Sequence, residues 1–302
     1  MTERLSARDF APEVLKLFDR YVHGDLSRRG FLEQAQQYAA GTIGGAAGLL
    51  AALSPQFATA QQVKPDDARL AIHRAQIDSP AGNGSIQAYL AWPKTAQTGA
   101  TGKLPVVMVV HENRGLNPHI EDIARRLALD GFLAVAPDAL TPLGGYPGDE
   151  DKARDLFGKL DAPKTRADML AVARHLLTVP MGNGRLGVVG FCWGGGIANY
   201  LATQVPELAA AVPFYGAQPP AADVAKIKAP LLIHYAGEDE RINAGWPAYE
   251  QALKANHVPY QAFIYAGAQH GFNNDTTPRF DAAAAKLAWD RTVAFFKDKL
   301  KS

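Results

Sequence analysis

The sequence predicts an α/β protein whose central sheet is mostly parallel and is covered by helices on both faces. Three observations support this prediction. After residue 60, apolar runs alternate with amphipathic helical patterns, several of these runs are apolar throughout, and a glycine-rich turn directly follows one of them. A strand that is buried on both faces has a continuous apolar sequence. Strand–helix alternation over this length implies right-handed crossovers between parallel strands.

The elements after residue 60 follow from these patterns in order. A hairpin comes first, because alternating segments at 70–77 and 85–91 flank a turn rich in Pro, Gly and Asn. The first helix begins at Asn117-Pro118 and ends at Gly131, since apolar residues recur between them with helical spacing. The remaining strands are predicted at 104–110, 132–136, 186–190, 208–214, 230–235 and 261–265, and the remaining helices at 164–178, 194–204, 244–256 and 281–299.

Composition excludes several classes of protein. The 302 residues carry a formal net charge of +1, which argues against nucleic-acid binding through a basic face. The chain has one cysteine, Cys192, which excludes an intrachain disulfide and any multi-cysteine metal site. Hydrophobic residues make up 47% of the chain and charged residues 20%, as in ordinary globular proteins. We therefore expect a globular protein that needs neither a metal nor another cofactor.

Residues 1–60 differ in composition from the rest. The twin arginines Arg28 and Arg29 are typical of a twin-arginine export signal, an Ala/Gly-rich apolar stretch follows at 39–53, and Ala58-Thr59-Ala60 offers a cleavage site. This stretch is too short and glycine-rich for a permanent membrane span. The pattern predicts a periplasmic protein whose mature chain, 61–302, is a single domain. The alternative is a cytoplasmic protein that retains a helical N-terminal arm, because apolar residues within 9–22 have helical spacing.

A glycine-rich turn carries the candidate nucleophile. Gly190-Phe191-Cys192-Trp193-Gly194 follows a predicted strand and opens a predicted helix. In the α/β-hydrolase fold, a Gly-x-nucleophile-x-Gly turn at this place holds the nucleophile in a strained conformation, and small flanking residues let strand and helix approach. Cys192 is therefore the predicted nucleophile. The alternative is that it packs as a small buried apolar side chain.

The same fold orders its catalytic residues along the chain as nucleophile, acid and histidine. His270 follows the last predicted strand and precedes the final helix, so it is the predicted base. The acid should follow the strand at 230–235, where Gly237 precedes three carboxylates. Asp239 is preferred because this type of loop usually places its acid two residues after the glycine, and Glu238 is the alternative. A thiol beside a histidine that a carboxylate orients predicts nucleophilic catalysis at an acyl group.

These motifs resemble the dienelactone hydrolase family, the carboxymethylenebutenolidases, over about residues 70–300. The resemblance rests on the segments HENRG at 111–115, GFCWGG at 190–195, VPFYG at 212–216 and HGF at 270–272. It implies an α/β-hydrolase fold and hydrolysis of an ester or lactone through a thioester. It also implies that Glu112 accepts the thiol proton, and that the backbone N–H groups of Trp193 and Asn113 form an oxyanion hole.

The sequence departs from the family pattern at one substrate-binding position. The family binds a substrate carboxylate with arginines, one of them four residues after the histidine, and Asn274 occupies that position. Arg114, Arg241 and Arg279 are the candidates that remain.

Tyr146 is a further candidate for substrate binding. It lies in the segment 141–160, which begins at the carboxyl end of a predicted strand and contains glycines that would let it close over the site. The alternative is an ordinary surface loop.

The sequence thus predicts a hydrolase of small esters or lactones with a Cys-His-Asp triad. Two other functions stay open: a small peptidase or acyl-peptide hydrolase on the same scaffold, and a non-catalytic ligand-binding homologue. The joint presence of Cys192, Glu112, Asp239 and His270 argues against the last, since ligand binding alone does not need all four side chains.

Overall fold

A computed structural model describes residues 5–98 and 102–301 of the chain. Within these residues, eight strands form one sheet in the order β1-β2-β4-β3-β5-β6-β7-β8. The first three in this order pair antiparallel, and the other neighbouring pairs are parallel. The strands are β1 (Leu70–Ser79), β2 (Gly84–Pro93), β3 (Leu104–Val110), β4 (Leu133–Pro137), β5 (Gly182–Phe191), β6 (Ala210–Phe214), β7 (Leu231–Ala236) and β8 (Tyr260–Tyr265).

Helices cover both faces of this sheet. Alternate residues of β3 contribute to two different clusters of buried side chains, because successive side chains of a strand point to opposite faces. The cluster on one face includes residues of α7, α8 and α10, and the cluster on the other includes residues of α5 and α11. The helices are α1 (Pro12–His23), α2 (Arg28–Ala35), α3 (Gly45–Leu53), α4 (Phe57–Ala60), α5 (Pro118–Leu129), α6 (Glu150–Phe157), α7 (Ala162–Leu176), α8 (Trp193–Gln204), α9 (Glu240–Asn243), α10 (Trp246–Ala255) and α11 (Ala282–Lys299).

The predicted fold class is confirmed, and each strand and helix predicted after residue 60 is present. The largest difference in bounds is at β5, which was predicted from residue 186 and begins at Gly182. Its first residues pair with Leu104 across a register shift, and a local apolar pattern does not signal such an irregular extension.

The segment 141–160 was predicted as a loop, and this is wrong for its second half, which forms helix α6. The side chain of Asp149 caps this helix by accepting a hydrogen bond from the backbone N–H of Lys152 at 2.8 Å. Glu150 and Asp151 then place negative charge in the first turn, where it is favourable. The acidic run therefore belongs to a helix start.

Residues 5–60, here called the N-terminal segment, form helices α1 to α4. Their buried side chains make a third apolar cluster, whose members include Val14, Leu15, Phe18, Tyr21, Phe31, Leu49, Leu50 and Leu53. No helix in the described part of the chain is long and apolar enough to cross a membrane. Export and cleavage after residue 60 stay predictions.

Candidate active site

Cys192 lies at the turn between β5 and α8, in the strained conformation that the sequence predicts. Its φ of 55° and ψ of −113° lie in a region that side-chain-bearing residues rarely adopt. A Cβ atom on Gly190 would lie 1.9 Å from the carbonyl oxygen of Gly194, and one on Gly194 would lie 2.3 Å from that of Val110. Glycine is therefore required at both positions for the strand and the helix to approach.

His270 and Asp239 form a buried pair behind the thiol. The distance between His270 Nδ1 and Asp239 Oδ2 is 2.5 Å. Asp239 also caps α9, because its Oδ1 accepts the N–H of Ile242, and its orientation is fixed by both contacts. Glu238, the alternative acid, has an exposed side chain. Of the two carboxylates, Asp239 is the one that holds the histidine.

The neighbours of His270 determine the direction in which its pKa shifts. Burial lowers the pKa of His270, but the charges of Cys192 and Asp239 outweigh this effect and raise the pKa to about 10. Among the described residues, no group forms a hydrogen bond with the buried Nε2 of His270, and Nδ1 is held by Asp239. Nε2 is therefore available to exchange a proton with a group in the site.

Cys192 has two histidine neighbours. Its Sγ, a ring nitrogen of His270 and a ring nitrogen of His23 lie within 4.8 Å of one another. Burial raises the pKa of the Cys192 thiol, but the positive charges of His270 and His23 lower it to about 6. At neutral pH the sulfur is therefore mostly the thiolate, which is the nucleophilic form.

His23 was not predicted as a site residue. It is the last residue of α1, and its Nε2 lies 3.4 Å from Cys192 Sγ. The local sequence shows a helix end, with Gly24 following in a left-handed conformation. Nothing in that pattern indicates contact with a residue so distant along the chain.

Glu112 and Asn274 meet beside the thiol. Glu112 follows β3 and lines the same cavity as Cys192, and its Oε2 accepts a hydrogen bond from Asn274 Nδ2 at 2.9 Å. Asn274 is itself fixed, since its Oδ1 accepts the backbone N–H of Thr276 at 3.1 Å. Asn274, which stands where the family has an arginine, therefore orients Glu112.

The two predicted oxyanion donors lie on either side of the turn. Trp193 is the first residue of α8, where a helix leaves its N–H groups without partners inside the helix. Asn113 follows Glu112 in the loop after β3, and its side chain donates to the carbonyl of Val22 at 2.7 Å. Within the described chain, the backbone N–H groups of Trp193 and Asn113 donate to no other group. Both are free to bind an oxyanion.

Arg114 and Arg279, predicted to bind substrate, contact the N-terminal segment. Arg114 Nη1 donates to the carbonyl of Val22 at 3.0 Å, and Arg279 Nη1 donates to Asp19 Oδ1 at 3.3 Å. Both arginines are buried and line the cavity at Cys192. Burial lowers the pKa of Arg114, and the charge of Glu150 partly offsets this effect.

Arg241 and Tyr146 are not among the described residues that line the cavity at Cys192. Arg241 Nη2 lies 3.0 Å from His23 Nε2, and its side chain is 44% exposed. Tyr146 donates its hydroxyl hydrogen to Glu150 Oε1 at 2.9 Å. The residues of segment 141–160 that line the cavity are Glu150 and Asp151.

The cavity at the thiol is small. It has a volume of about 50 Å³ and lies between the N-terminal segment and the domain. A water molecule needs roughly 10–15 Å³ on this measure, so the cavity holds a few waters. Its lining includes Phe18, Tyr21, His23, Glu112, Cys192 and His270.

Cys192, His23 and His270 also have the composition of a three-ligand metal site. A carboxylate lies behind each histidine, as is common for metal ligands. The guanidinium of Arg241, however, lies 3.0 Å from His23 Nε2 and occupies the space that a metal ion at that nitrogen would need. The cluster therefore fits proton exchange with a thiol better than metal binding.

The mostly parallel sheet and the cysteine at the strand–helix turn define an α/β-hydrolase-fold protein. A model of the family described as "Dienelactone hydrolase family" matches residues 86–300. The chain belongs to this family and is a dienelactone hydrolase-like hydrolase. A second family model, described as "YqhI-like", matches residues 1–41, which lie mostly in the N-terminal segment.

Individual relatives agree with this assignment. The chain is 36% identical over 265 residues to a protein of Escherichia coli (strain K12) named "Putative carboxymethylenebutenolidase", covering 83% of this chain and 94% of the relative. The crystal structure titled "Putative Dienelactone Hydrolase" from Klebsiella pneumoniae has a TM-score of 0.65 and 32% identity, and the match covers 75% of this chain and 99% of that one. A thermostable esterase from Pseudomonas putida, with a TM-score of 0.63 and 16% identity over 97% of this chain and 98% of its own, shares the fold.

Proposed function

We propose that this chain hydrolyses carboxylic esters or lactones through a thioester at Cys192. The observation that carries this proposal is the Cys192 thiol in the strained strand–helix turn, within 4.8 Å of a ring nitrogen of a histidine that Asp239 holds through Nδ1. The lowered pKa of the thiol, about 6, supports it. A thiolate and a protonated imidazole in contact are an activated nucleophile and a ready general acid.

The proposed first half-reaction is acylation. The Cys192 sulfur attacks the ester carbonyl carbon, and the carbonyl oxygen becomes an oxyanion that the backbone N–H groups of Trp193 and Asn113 bind. When the C–O bond breaks, His270 donates its proton to the leaving alkoxide, which departs as an alcohol. In a lactone the alcohol stays attached to the acyl group. Two preorganised backbone donors stabilise the charge that develops in this step.

The proposed second half-reaction is hydrolysis of the thioester. The neutral His270 removes a proton from water, and the hydroxide attacks the acyl carbon. The C–S bond then breaks, which returns the Cys192 thiolate, the protonated His270 and a carboxylic acid. Asp239 stabilises the imidazolium and holds its tautomer throughout. Glu112, which the family resemblance implies as proton acceptor for the thiol, adds a second acceptor whenever the sulfur is protonated.

A substrate panel tests this proposal. Purified full-length protein is assayed with p-nitrophenyl esters, with lactones of several ring sizes and with peptide p-nitroanilides, and Cys192→Ala serves as the background. Acyl groups with and without a carboxylate are included, because Arg279 lines the cavity. We expect turnover of esters or lactones about 10⁴-fold or more above background. Faster cleavage of anilides would favour a peptidase, and the absence of any turnover would favour a non-catalytic homologue.

A further inference from the structure

The end of helix α1 is built to present His23 to the thiol. His23 Nδ1 lies 2.7 Å from the carbonyl oxygen of Asp19 and 3.3 Å from its Oδ1, so that nitrogen is occupied. Nε2 therefore faces Cys192 Sγ at 3.4 Å. The ring of His23 meets the ring of His270 edge to face, with 4.8 Å between their centroids. The sulfur thus lies between one histidine from the domain and one from the N-terminal segment.

Helix α1 is attached to one wall of the cleft through α6. Asp151 accepts hydrogen bonds from the hydroxyl of Tyr21 and from Arg28 Nη1. The guanidinium of Arg154 lies over the ring of Tyr21, 4.3 Å from its centroid. Arg28, the first arginine of the twin-arginine motif, therefore has a binding partner in the domain.

Helix α1 is attached to the other wall through the loops after β3 and β8. Asn113 and Arg114 both donate to the carbonyl of Val22. Arg279 donates to the carboxylate of Asp19. Farther along the segment, the N–H of Gln56 donates to the carbonyl of Thr276 at 2.8 Å. The segment therefore spans the cleft with polar contacts on both sides.

We propose that the N-terminal segment stays with the enzyme as a cover of its active site, and that His23 binds the resting Cys192 thiolate until a substrate displaces the cover. The cavity of about 50 Å³ is far below the roughly 300 Å³ that ordinary ligand pockets offer, so an ester large enough to fill such a pocket requires the cover to move. This inference rests on the proposed function in one respect, namely that the Cys192 thiol is the nucleophile. The first two tests below measure the reactivity of that thiol directly.

The charged and titratable groups that face His23 define the expected effect of removing it. They are Cys192 and His270 from the domain, Asp19 from α1 and Arg241 from α9, and Arg279 pairs with the same Asp19 from the loop before α11. Burial lowers the pKa of His23, but the charge of Cys192, whose Sγ lies 3.4 Å from Nε2, and the hydrogen bond with Asp19 raise it. Without His23, His270 is the remaining histidine that stabilises the thiolate, so the thiol should become a weaker acid.

The first test replaces His23 by Gln, which keeps a polar side chain but cannot carry charge. Arg20→Ala, an exposed position on the same helix, is the control. Alkylation by iodoacetamide is followed against pH, and since Cys192 is the one cysteine of the chain, the midpoint reports its pKa. We expect a midpoint near 6 in the wild type and in Arg20→Ala, and one about one unit higher in His23→Gln. An unchanged midpoint in His23→Gln would overturn the role of His23.

The second test loosens the cover at its contact with α6. Asp151→Asn weakens the contacts to Tyr21 and Arg28, and Asp155→Asn on the same helix is the matched control, because its side chain is 66% exposed and pairs with Arg154. Reaction with a bulky maleimide is measured at a pH where the thiol is ionised. We expect about a tenfold faster reaction in Asp151→Asn, since a charge-assisted contact holds the closed state. Equal rates in Asp151→Asn and the control would contradict a cover held in this way.

The third test determines the N-terminus of the protein purified from its own cells. Intact mass spectrometry should find a chain that includes residues 12–60. An active enzyme that begins near residue 61 would overturn the inference and leave the proposed function standing. Conversely, ester turnover by Cys192→Ala would overturn the proposed function while the alkylation results still report the cover.

Discussion

Replacing Cys192 with alanine should reduce kcat for ester hydrolysis by about 10⁴-fold or more, with the fold intact. The thiolate is the proposed nucleophile, and without it only the oxyanion donors and substrate binding contribute to the rate. Removing one sulfur leaves a small cavity that costs roughly 1 kcal/mol, and alanine places no larger group in the strained turn. Steady-state kinetics measures the loss of kcat, and a thermal unfolding scan checks that the fold is intact.

Cys192→Ser separates the nucleophile from the shape of the site. Serine keeps the size of the side chain, but its hydroxyl is far less acidic than the thiol, whose pKa is near 6. His23 and His270 would then face a neutral group, so we expect much lower activity than in the wild type. Wild-type turnover by Cys192→Ala would contradict the mechanism, and full activity in Cys192→Ser would contradict the need for a thiolate.

Replacing Asp239 with asparagine should lower kcat by about 10³- to 10⁴-fold. The carboxylate accepts from His270 Nδ1 at 2.5 Å and stabilises its positive charge, whereas an amide can hold the wrong tautomer and bears no charge. KM should change less, because Asp239 is buried behind the histidine and away from the cavity lining. The effect is measured by steady-state kinetics with one neutral ester.

Glu238→Gln is the matched control for this substitution. It removes the neighbouring carboxylate, whose side chain is exposed, and should leave kcat within about twofold, as for ordinary surface changes. Loss of activity in Glu238→Gln with full activity in Asp239→Asn would reverse the assignment of the acid.

The parts of the fold that could be predicted are those whose formation depends on residues close together in the sequence. Continuous apolar sequence gave the bounds of β3, and Asn117-Pro118 gave the start of α5, where Asn117 accepts from Ile120 N. The turn at Cys192 was predictable because contact between strand and helix demands glycine at fixed places. Such signals lie within a few residues of the feature that they specify.

The parts that could not be predicted depend on contacts between distant residues. His23 and Cys192 lie 169 positions apart, and no local pattern links them. Which of Asp239 and Glu238 contacts His270 depends on the direction of each side chain, which the sequence does not give. Arg279, a candidate for binding a substrate anion, binds the carboxylate of Asp19 in the closed structure. The sequence indicated that Arg279 lies at the site, but it did not indicate that Asp19 is its ion-pair partner.

Composition alone could not separate an export signal from a structural segment. A short helix rich in Ala, Gly and Leu is typical of both, and α3 buries Leu49, Leu50 and Leu53 within the apolar cluster of the N-terminal segment. Export and retention of this segment therefore both stay predictions, which the N-terminus of the purified protein distinguishes.

The most direct test of the mechanism is to trap the acyl group on the enzyme. Full-length protein is mixed with p-nitrophenyl butyrate, quenched in acid during turnover and digested for peptide mass spectrometry. We expect one butyryl group on the peptide that contains Cys192, lost again when the substrate is exhausted before the quench. Turnover with no acyl group on Cys192, or with the group on another residue, would contradict a thioester mechanism.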